Sequence, residues 1–322
     1  MAAPFLTGER NMNHQYFTDE QRVQVAKMEY QLLIPGQVLS LDHRYLGIVL
    51  QHIYTPDGFQ AFVIGNRKDD PHVLTILFKG SSGLMRGTRE TITNEWLNTN
   101  FPILWAMLFQ NHQVPSQLTT AARMLNRLLK QYPHAKAFLY GHSLGAINLQ
   151  YALAHCRYLG RVKQVSLYEG PNLYILMNRQ EQRRVRKFKH KVDNYVDVND
   201  PVTLGYYDGR HLVGQLHYVD AEMLPPITAH MWGGYSFWPS GRLKTKPVDD
   251  YFRLTAFRQQ QMMTYGRTIN ASWRQWRLAA QERRAAFQDH LQSLSSFSVM
   301  PPEGEVFPKP DRLRKWWSDV VE

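Results

Sequence analysis

Phe138-Leu139-Tyr140-Gly141-His142-Ser143-Leu144-Gly145, continued by Ala146-Ile147-Asn148-Leu149-Gln150, decides how the rest of the chain is read. A short apolar run stops in Gly-x-Ser-x-Gly, and a helix-compatible stretch follows at once. This is the composition of a sharp strand-to-helix turn that presents a serine. Backbones crowd such a turn, so a Cβ at Gly141 or Gly145 would collide with its neighbours. Ser143 is expected at the strained apex with its hydroxyl in the open. The Leu144 N–H opens the helix, where the positive end of the dipole favours developing negative charge. The bare pattern arises by chance in roughly one chain in ten of this length. Its setting, strand before and helix after, therefore carries the reading.

On the amino-terminal side, Gln117 to Tyr132 places Leu118, Ala121, Ala122, Leu125, Leu128 and Leu129 at helical spacing, which predicts an amphipathic helix. Val73 to Phe78 is a dense apolar strand suited to a sheet covered on both faces, and it runs into Lys79-Gly80-Ser81-Ser82-Gly83. The runs 46–54 and 59–65 flank Thr55-Pro56-Asp57-Gly58, which predicts a hairpin. Thr18 before Asp19 and Glu20 predicts a capped helix, with Val23, Val25, Met28 and Leu32 as its apolar positions. On the carboxyl side, Arg161 to Tyr168 is a strand closing in Glu169-Gly170-Pro171, and Arg179 to Lys191 is a basic helix. Val192 to Val198 is a further strand, ending in Asn199-Asp200-Pro201-Val202. Strands alternating with helical periods specify an α/β fold with a mainly parallel sheet. Ligands bind such sheets at the carboxyl ends of the strands, where Gly80–Ser82, Ser143, Gly170–Pro171 and Asp200 all fall.

The 322 residues carry a formal net charge of +11 and one cysteine, Cys156. The single cysteine excludes an internal disulfide framework and a cysteine-rich zinc site; it is expected as a small buried group on the elbow helix. No metal or organic cofactor is implied. The basic run 179–191 has no zinc-finger, RNA-recognition or helix-turn-helix pattern beside it, so it is expected as a solvated helix face, with no nucleic acid as partner. The charge also suits contact with an anionic membrane surface. Met1 to Arg10 lacks a signal-like apolar run, and Phe101 to Phe109, the longest strongly apolar stretch, is too short to span a bilayer. These features predict a cytoplasmic protein, with signal-independent export left open. Phe101 to Phe109 is expected as a buried helix, with a lid over an apolar site as the alternative.

Composition shifts near residue 248, after which aromatic and aliphatic residues punctuate a stretch rich in Arg, Gln and Ala. The chain is accordingly divided into a main domain, 1–245, and a basic amphipathic helical extension, 246–322. The extension is expected to pack on the main domain; the alternative is a docking surface for a protein partner or an anionic membrane.

A serine hydroxyl becomes a nucleophile only when a base takes its proton. The base is normally a histidine held by a carboxylate, and after an elbow serine the chain order is acid, then histidine. Asp200 fits best as the acid, since it lies just past a strand on the side of the elbow. Asp193 and Asp197 are read as lying within that strand, and Asp220 is a further candidate. His230, in the turn-rich stretch Leu224 to Tyr235, is the first choice of base, with His217 and His211 as competitors. His142 is read as supportive. An oxyanion hole needs two backbone donors: Leu144 supplies one, and Ser81, after the strand ending at Phe78, is the natural second.

Several of these segments resemble motifs of the class 3 (fungal-type) lipases. Phe78-Lys79-Gly80-Ser81 is similar to their Phe-Arg-Gly-Thr/Ser motif, and Gly141-His142-Ser143-Leu144-Gly145 matches their nucleophile pentapeptide. Glu169-Gly170-Pro171 is similar to their Gly-x-Pro turn, Asn199-Asp200-Pro201-Val202 to the segment bearing their aspartate, and His230 with Tyr235 to their terminal histidine motif. The resemblance spans roughly residues 45–240. It implies an α/β-hydrolase fold acting on carboxylic esters, with a lipase or phospholipase activity, Ser143, Asp200 and His230 as triad, and Ser81 and Leu144 at the oxyanion hole. Lys79 in place of arginine and Ala146 in place of the glycine that often follows the pentapeptide depart from the pattern. The rival expectation is a non-catalytic module of the same fold that binds a partner through its C-terminal helices.

Overall fold

The computed structural model describes residues 14–80 and 116–259. Thr18 caps the first helix, α1 (Asp19–Lys27), by accepting the Gln21 N–H at 3.2 Å, while the Gln21 amide oxygen accepts the Thr18 N–H at 3.1 Å. This reciprocal pair satisfies two donors that a helix start leaves open. The helix stops at Lys27 and tightens into a 3-10 turn over Met28–Tyr30. Val23, Val25 and Met28 are buried, but Leu32 lies past the turn and is 87% exposed. The helical register expected to carry Leu32 inward therefore ends before reaching it.

Four strands, β1 (Val38–Leu41), β2 (Arg44–Tyr54), β3 (Gln60–Gly65) and β4 (Val73–Phe78), pair antiparallel in succession. From β4 the sheet continues in parallel through β5 (Lys136–His142), β6 (Val162–Tyr168), β7 (Val192–Val196) and β8 (Gln215–Tyr218). Order in the sheet is order in the chain. The turn between β2 and β3 sits at the expected place, with the Gly58 N–H on the Thr55 carbonyl at 2.9 Å. The edge strands β1 and β8 have no counterpart in the sequence reading. Each is four residues long and only partly buried, too short and too wet to leave an apolar signature.

Helices α2 (Ser116–Gln131), α3 (Leu144–Ala154) and α4 (Arg179–Lys187) lie in the connections that follow β4, β5 and β6. Right-handed crossovers between successive parallel strands put such helices on one face. On that face Leu118, Leu125 and Leu129 of α2, Ile147 and Leu149 of α3, and Val185 of α4 join Leu74, Ile76, Ala137, Leu139 and Val165 of the sheet. Each fully buried leucine contributes about 2 kcal/mol, so the α2 stripe holds its helix in place whatever the polar face carries. Cys156 is buried in the same cluster. The opposite face is covered by α1, whose Val23 and Val25 share a cluster with Phe62, Leu77, Phe138, Tyr140 and Tyr168. The alternation along β5, Ala137 and Leu139 to one side, Phe138 and Tyr140 to the other, is the two-residue period of a strand covered on both faces.

Beyond β8 come the short helix α5 (Pro226–His230) and a helix over 250–259, α6. Phe252 and Ala256 of α6 are buried with Val196, Val198, Tyr206 and Tyr218, and the Tyr251 hydroxyl donates to Asn199 Oδ1 at 2.6 Å. The start of the 246–322 segment thus packs beside β7 and β8; its remainder from 260, like the apolar stretch 101–109, lies outside the described residues. Among the described residues no helix is long and apolar enough to cross a membrane.

Candidate active site

The chain reaches Ser143 from β5 and leaves it through α3. Ser143 has φ +54° and ψ −124°, a conformation that costs an L residue on the order of 1–3 kcal/mol. Its surroundings over-determine that geometry: the Ser143 N–H donates to the Tyr168 carbonyl at 3.0 Å, and the Ser143 carbonyl accepts the Ala146 N–H at 3.0 Å. A Cβ at Gly141 would stand 2.7 Å from the Gly145 carbonyl oxygen, and one at Gly145 would overlap the Phe78 carbonyl. Helix α3 therefore rests directly on the end of β4, and both glycines are needed for contact rather than for flexibility. Gly145→Ala is expected to lower unfolding free energy by about 3 kcal/mol or more. A denaturant midpoint equal to that of the parent would refute this account of the turn.

The structure brings Ser143, His230 and Asp200 together. His230 Nδ1 lies 2.7 Å from Asp200 Oδ2, and His230 Nε2 lies 2.9 Å from Ser143 Oγ. A carboxylate can only accept, so Nδ1 carries the proton and Nε2 is left to accept the serine O–H. The second Asp200 oxygen, Oδ1, accepts the Val202 N–H at 2.9 Å, which fixes the carboxylate plane. All three side chains are buried. Such a row can draw a proton off the serine hydroxyl and stabilise the imidazolium that results. The Leu144 N–H stands at the first position of α3, where the helix itself supplies no acceptor. Ser81 lies outside the described residues; Gly80, just before it, is held by its N–H on Glu29 Oε1 at 3.1 Å.

His142 faces away from Ser143 and buttresses the base from behind. Its Nε2–H donates to the His230 carbonyl at 2.7 Å, which leaves Nδ1 to accept the Tyr30 hydroxyl at 2.6 Å. Burial, and then the neighbouring His230, hold the His142 imidazole well below its ordinary pKa, so it stays neutral in this role. Burial also pushes the Glu29 carboxyl well above the ordinary range, against the opposing Gly80 N–H, Tyr30 hydroxyl and Lys79 charge. Glu29 and Tyr30 therefore connect α1 to the end of β4 and to the base. Sequence reasoning passed over both, because a glutamate and a tyrosine after a helix look like surface residues until the tertiary fold buries them.

The other candidates are engaged elsewhere. His217 pairs with Asp193 at 2.9 Å between β8 and β7, and His211 with Asp208 at 2.6 Å on an exposed loop. Asp220 meets Lys246 at 3.4 Å. Asp197 is not inside the strand, as read from the sequence, but follows its last residue, Val196. The strand ends early because Asp197 turns to accept the Asn199 N–H on its own side chain at 2.9 Å. Trp232 is buried, its ring 3.9 Å from that of His142. Among the described residues no group of three or more His, Cys, Asp or Glu side chains could hold a metal ion.

No family model matches the chain, and no curated protein matches it. Solved structures do. A mutant form of MDLA from Penicillium cyclopium is 14% identical over 72% of this chain and 86% of its own, with a TM-score of 0.39. A Rhizomucor miehei lipase propeptide complex is 15% identical over 66% of this chain and 71% of its own, with a TM-score of 0.41. The Lip2 lipase of Yarrowia lipolytica is 13% identical over 67% of this chain and 82% of its own, with a TM-score of 0.38. The chain's own features carry the assignment of fold: a mainly parallel sheet, helices on both faces, and a serine at positive φ between a central strand and the helix that follows it. The protein has the α/β-hydrolase fold, and fungal lipases are among the solved structures it is similar to.

Proposed function

We propose that the protein is a serine-dependent carboxylic ester hydrolase. The observation that carries this reading is the hydrogen-bonded row from Asp200 through His230 to Ser143 at a strand-to-helix elbow. Ser143 Oγ attacks the ester carbonyl carbon as His230 Nε2 takes its proton, and Asp200 holds the imidazole in the tautomer this requires. The carbonyl oxygen gains the negative charge and is met by the Leu144 N–H, with the loop at Ser81 as the second donor. When the tetrahedral species collapses, His230 returns the proton to the leaving alcohol. Water, deprotonated by the same imidazole, then releases the acid and restores the serine. The motifs that resemble those of class 3 lipases, from Phe78 to Tyr235, make acylglycerols and phospholipids the substrates of choice.

The test is reaction of the intact protein with a fluorophosphonate, with the adduct located by mass spectrometry. Modification at Ser143 is the expected result. An unmodified protein would leave the fold as a binding module and end the hydrolase reading. Faster turnover of micellar or vesicular ester than of the same ester as monomer would support a lipid substrate; equal rates would count against it.

A further inference from the structure

The carboxyl end of β6 touches the elbow, the acid turn and the base loop of the proposed site. Tyr168 accepts the Ser143 N–H, and Gly170 lies so close to Ala146 of α3 that a Cβ there would overlap the alanine methyl. Between them Glu169 adopts φ +44°, in the left-handed region that L side chains avoid. A long side chain is nevertheless kept, fully buried. Its two oxygens accept the Asp197 N–H at 3.2 and 3.0 Å, and Oε1 also accepts the Tyr235 hydroxyl at 2.5 Å. Among the described residues it forms no ion pair.

Each contact leads to one partner of Ser143. Asp197 opens the turn that carries the acid: its carbonyl accepts the Asp200 N–H at 3.1 Å, and the Thr203 hydroxyl lies 2.8 Å from the carbonyls of both. Tyr235 closes the loop that starts at His230. Its N–H donates to the Trp232 carbonyl at 3.2 Å, and the Gly233 N–H donates to the Thr228 carbonyl at 2.8 Å. One carboxyl thus spans the acid turn and the base loop. We infer that Glu169 is a positioning residue that sets the Asp200–His230 contact through Asp197 N–H and the Tyr235 hydroxyl. This rests on the roles proposed above for Ser143, His230 and Asp200. Burial, then the charges of Asp200 and Asp197, push the Glu169 carboxyl well above its ordinary range.

The experiment uses the full chain and the variants E169A, E169Q, Y235F and E169A/Y235F. Four quantities are read: kcat and KM on a p-nitrophenyl ester, the rate of fluorophosphonate inactivation, the denaturant midpoint, and the low-field proton resonance of His230 Nδ1–H. In E169A, kcat and inactivation rate should fall together by about a hundredfold, the scale of a misplacement of roughly 1 Å, with KM little changed. Y235F should fall by a smaller factor. The double variant should be no worse than E169A, because both changes break one linkage. E169Q, which keeps a carbonyl acceptor, should stay near the parent. The low-field resonance should shift in E169A and Y235F and hold in E169Q.

Folded E169A with parental kcat, or a loss of kcat matched by loss of folded protein, would overturn the inference. If E169A does not fold, Y235F decides: parental kcat together with an unmoved resonance refutes the linkage. A parent that the fluorophosphonate leaves untouched sinks the hydrolase reading alone, since the His230 resonance needs no turnover and still tests whether Glu169 sets the contact.

Discussion

Ser143→Ala should cut turnover about a millionfold while leaving the fold intact, the loss seen when a nucleophile that works as one unit with its base is removed. The methyl of alanine fits the space of the hydroxymethyl group, and the backbone bonds from residue 143 to Tyr168 and Ala146 do not involve the side chain. The denaturant midpoint should therefore match that of the parent. What disappears is the bond-forming atom. His230 and the backbone donors remain and can still assist water, so a residue of catalysis above the uncatalysed rate is expected. Ester hydrolysis followed in parallel with fluorophosphonate labelling measures the outcome. A variant that keeps more than about a hundredth of the parental rate would place the nucleophile elsewhere, since the loss expected here is four orders larger.

Asp200→Asn should lower kcat by about ten-thousandfold with little change in stability. The reason lies in the two contacts of the carboxylate. Oδ1 accepts the Val202 N–H and Oδ2 accepts His230 Nδ1–H. In asparagine the carbonyl oxygen can keep only one of these. If it stays on Val202, the amide NH2 faces Nδ1 and forces that nitrogen to accept, so the proton moves to Nε2. An imidazole protonated at Nε2 cannot take the proton of Ser143. If the amide flips, two donors confront each other at Val202. That clash favours the first arrangement, in which the base is disabled by geometry rather than by loss of a side chain. The kcat of D200N and the His230 tautomer, read from nitrogen chemical shifts, check the argument together. A variant with parental kcat and Nδ1 still protonated would refute it.

The parts of this molecule that can be read from sequence are those in which one local stretch contains its own reason. The elbow is one, since Gly141, Ser143 and Gly145 all answer to crowding within a few residues. The α2 stripe and the dense runs of β4, β5 and β6 are others, because their burial repeats with a fixed period. Asp200 and His230 are legible one step less directly, through chain order and strand ends, and the sequence leaves His217 as a rival. Only the fold removes that rivalry, by seating His217 in β8 against Asp193. Glu29 and Tyr30 carry no local mark at all, and Glu169 is marked only by the Gly170-Pro171 turn that follows it, with no sign of what it contacts. Their burial comes from segments far away in the chain, 51 positions for the bond from Gly80 to Glu29 and 66 for that between Tyr235 and Glu169. β1 and β8 escape notice for the opposite reason, being edges that bury too little to impose a pattern.

The strand order has a consequence for how the protein comes into being. From β4 onward each strand docks beside the one translated just before it, so no later segment must be threaded between earlier ones. A chain emerging from the ribosome can extend its sheet outward as it lengthens. The serine is laid down early in that process, 87 positions ahead of the histidine beside it. Until that histidine and its loop arrive, the nascent protein carries a hydroxyl with no base to activate it. On the roles proposed for these two residues, no ester can be cleaved before the loop that carries His230 has been made.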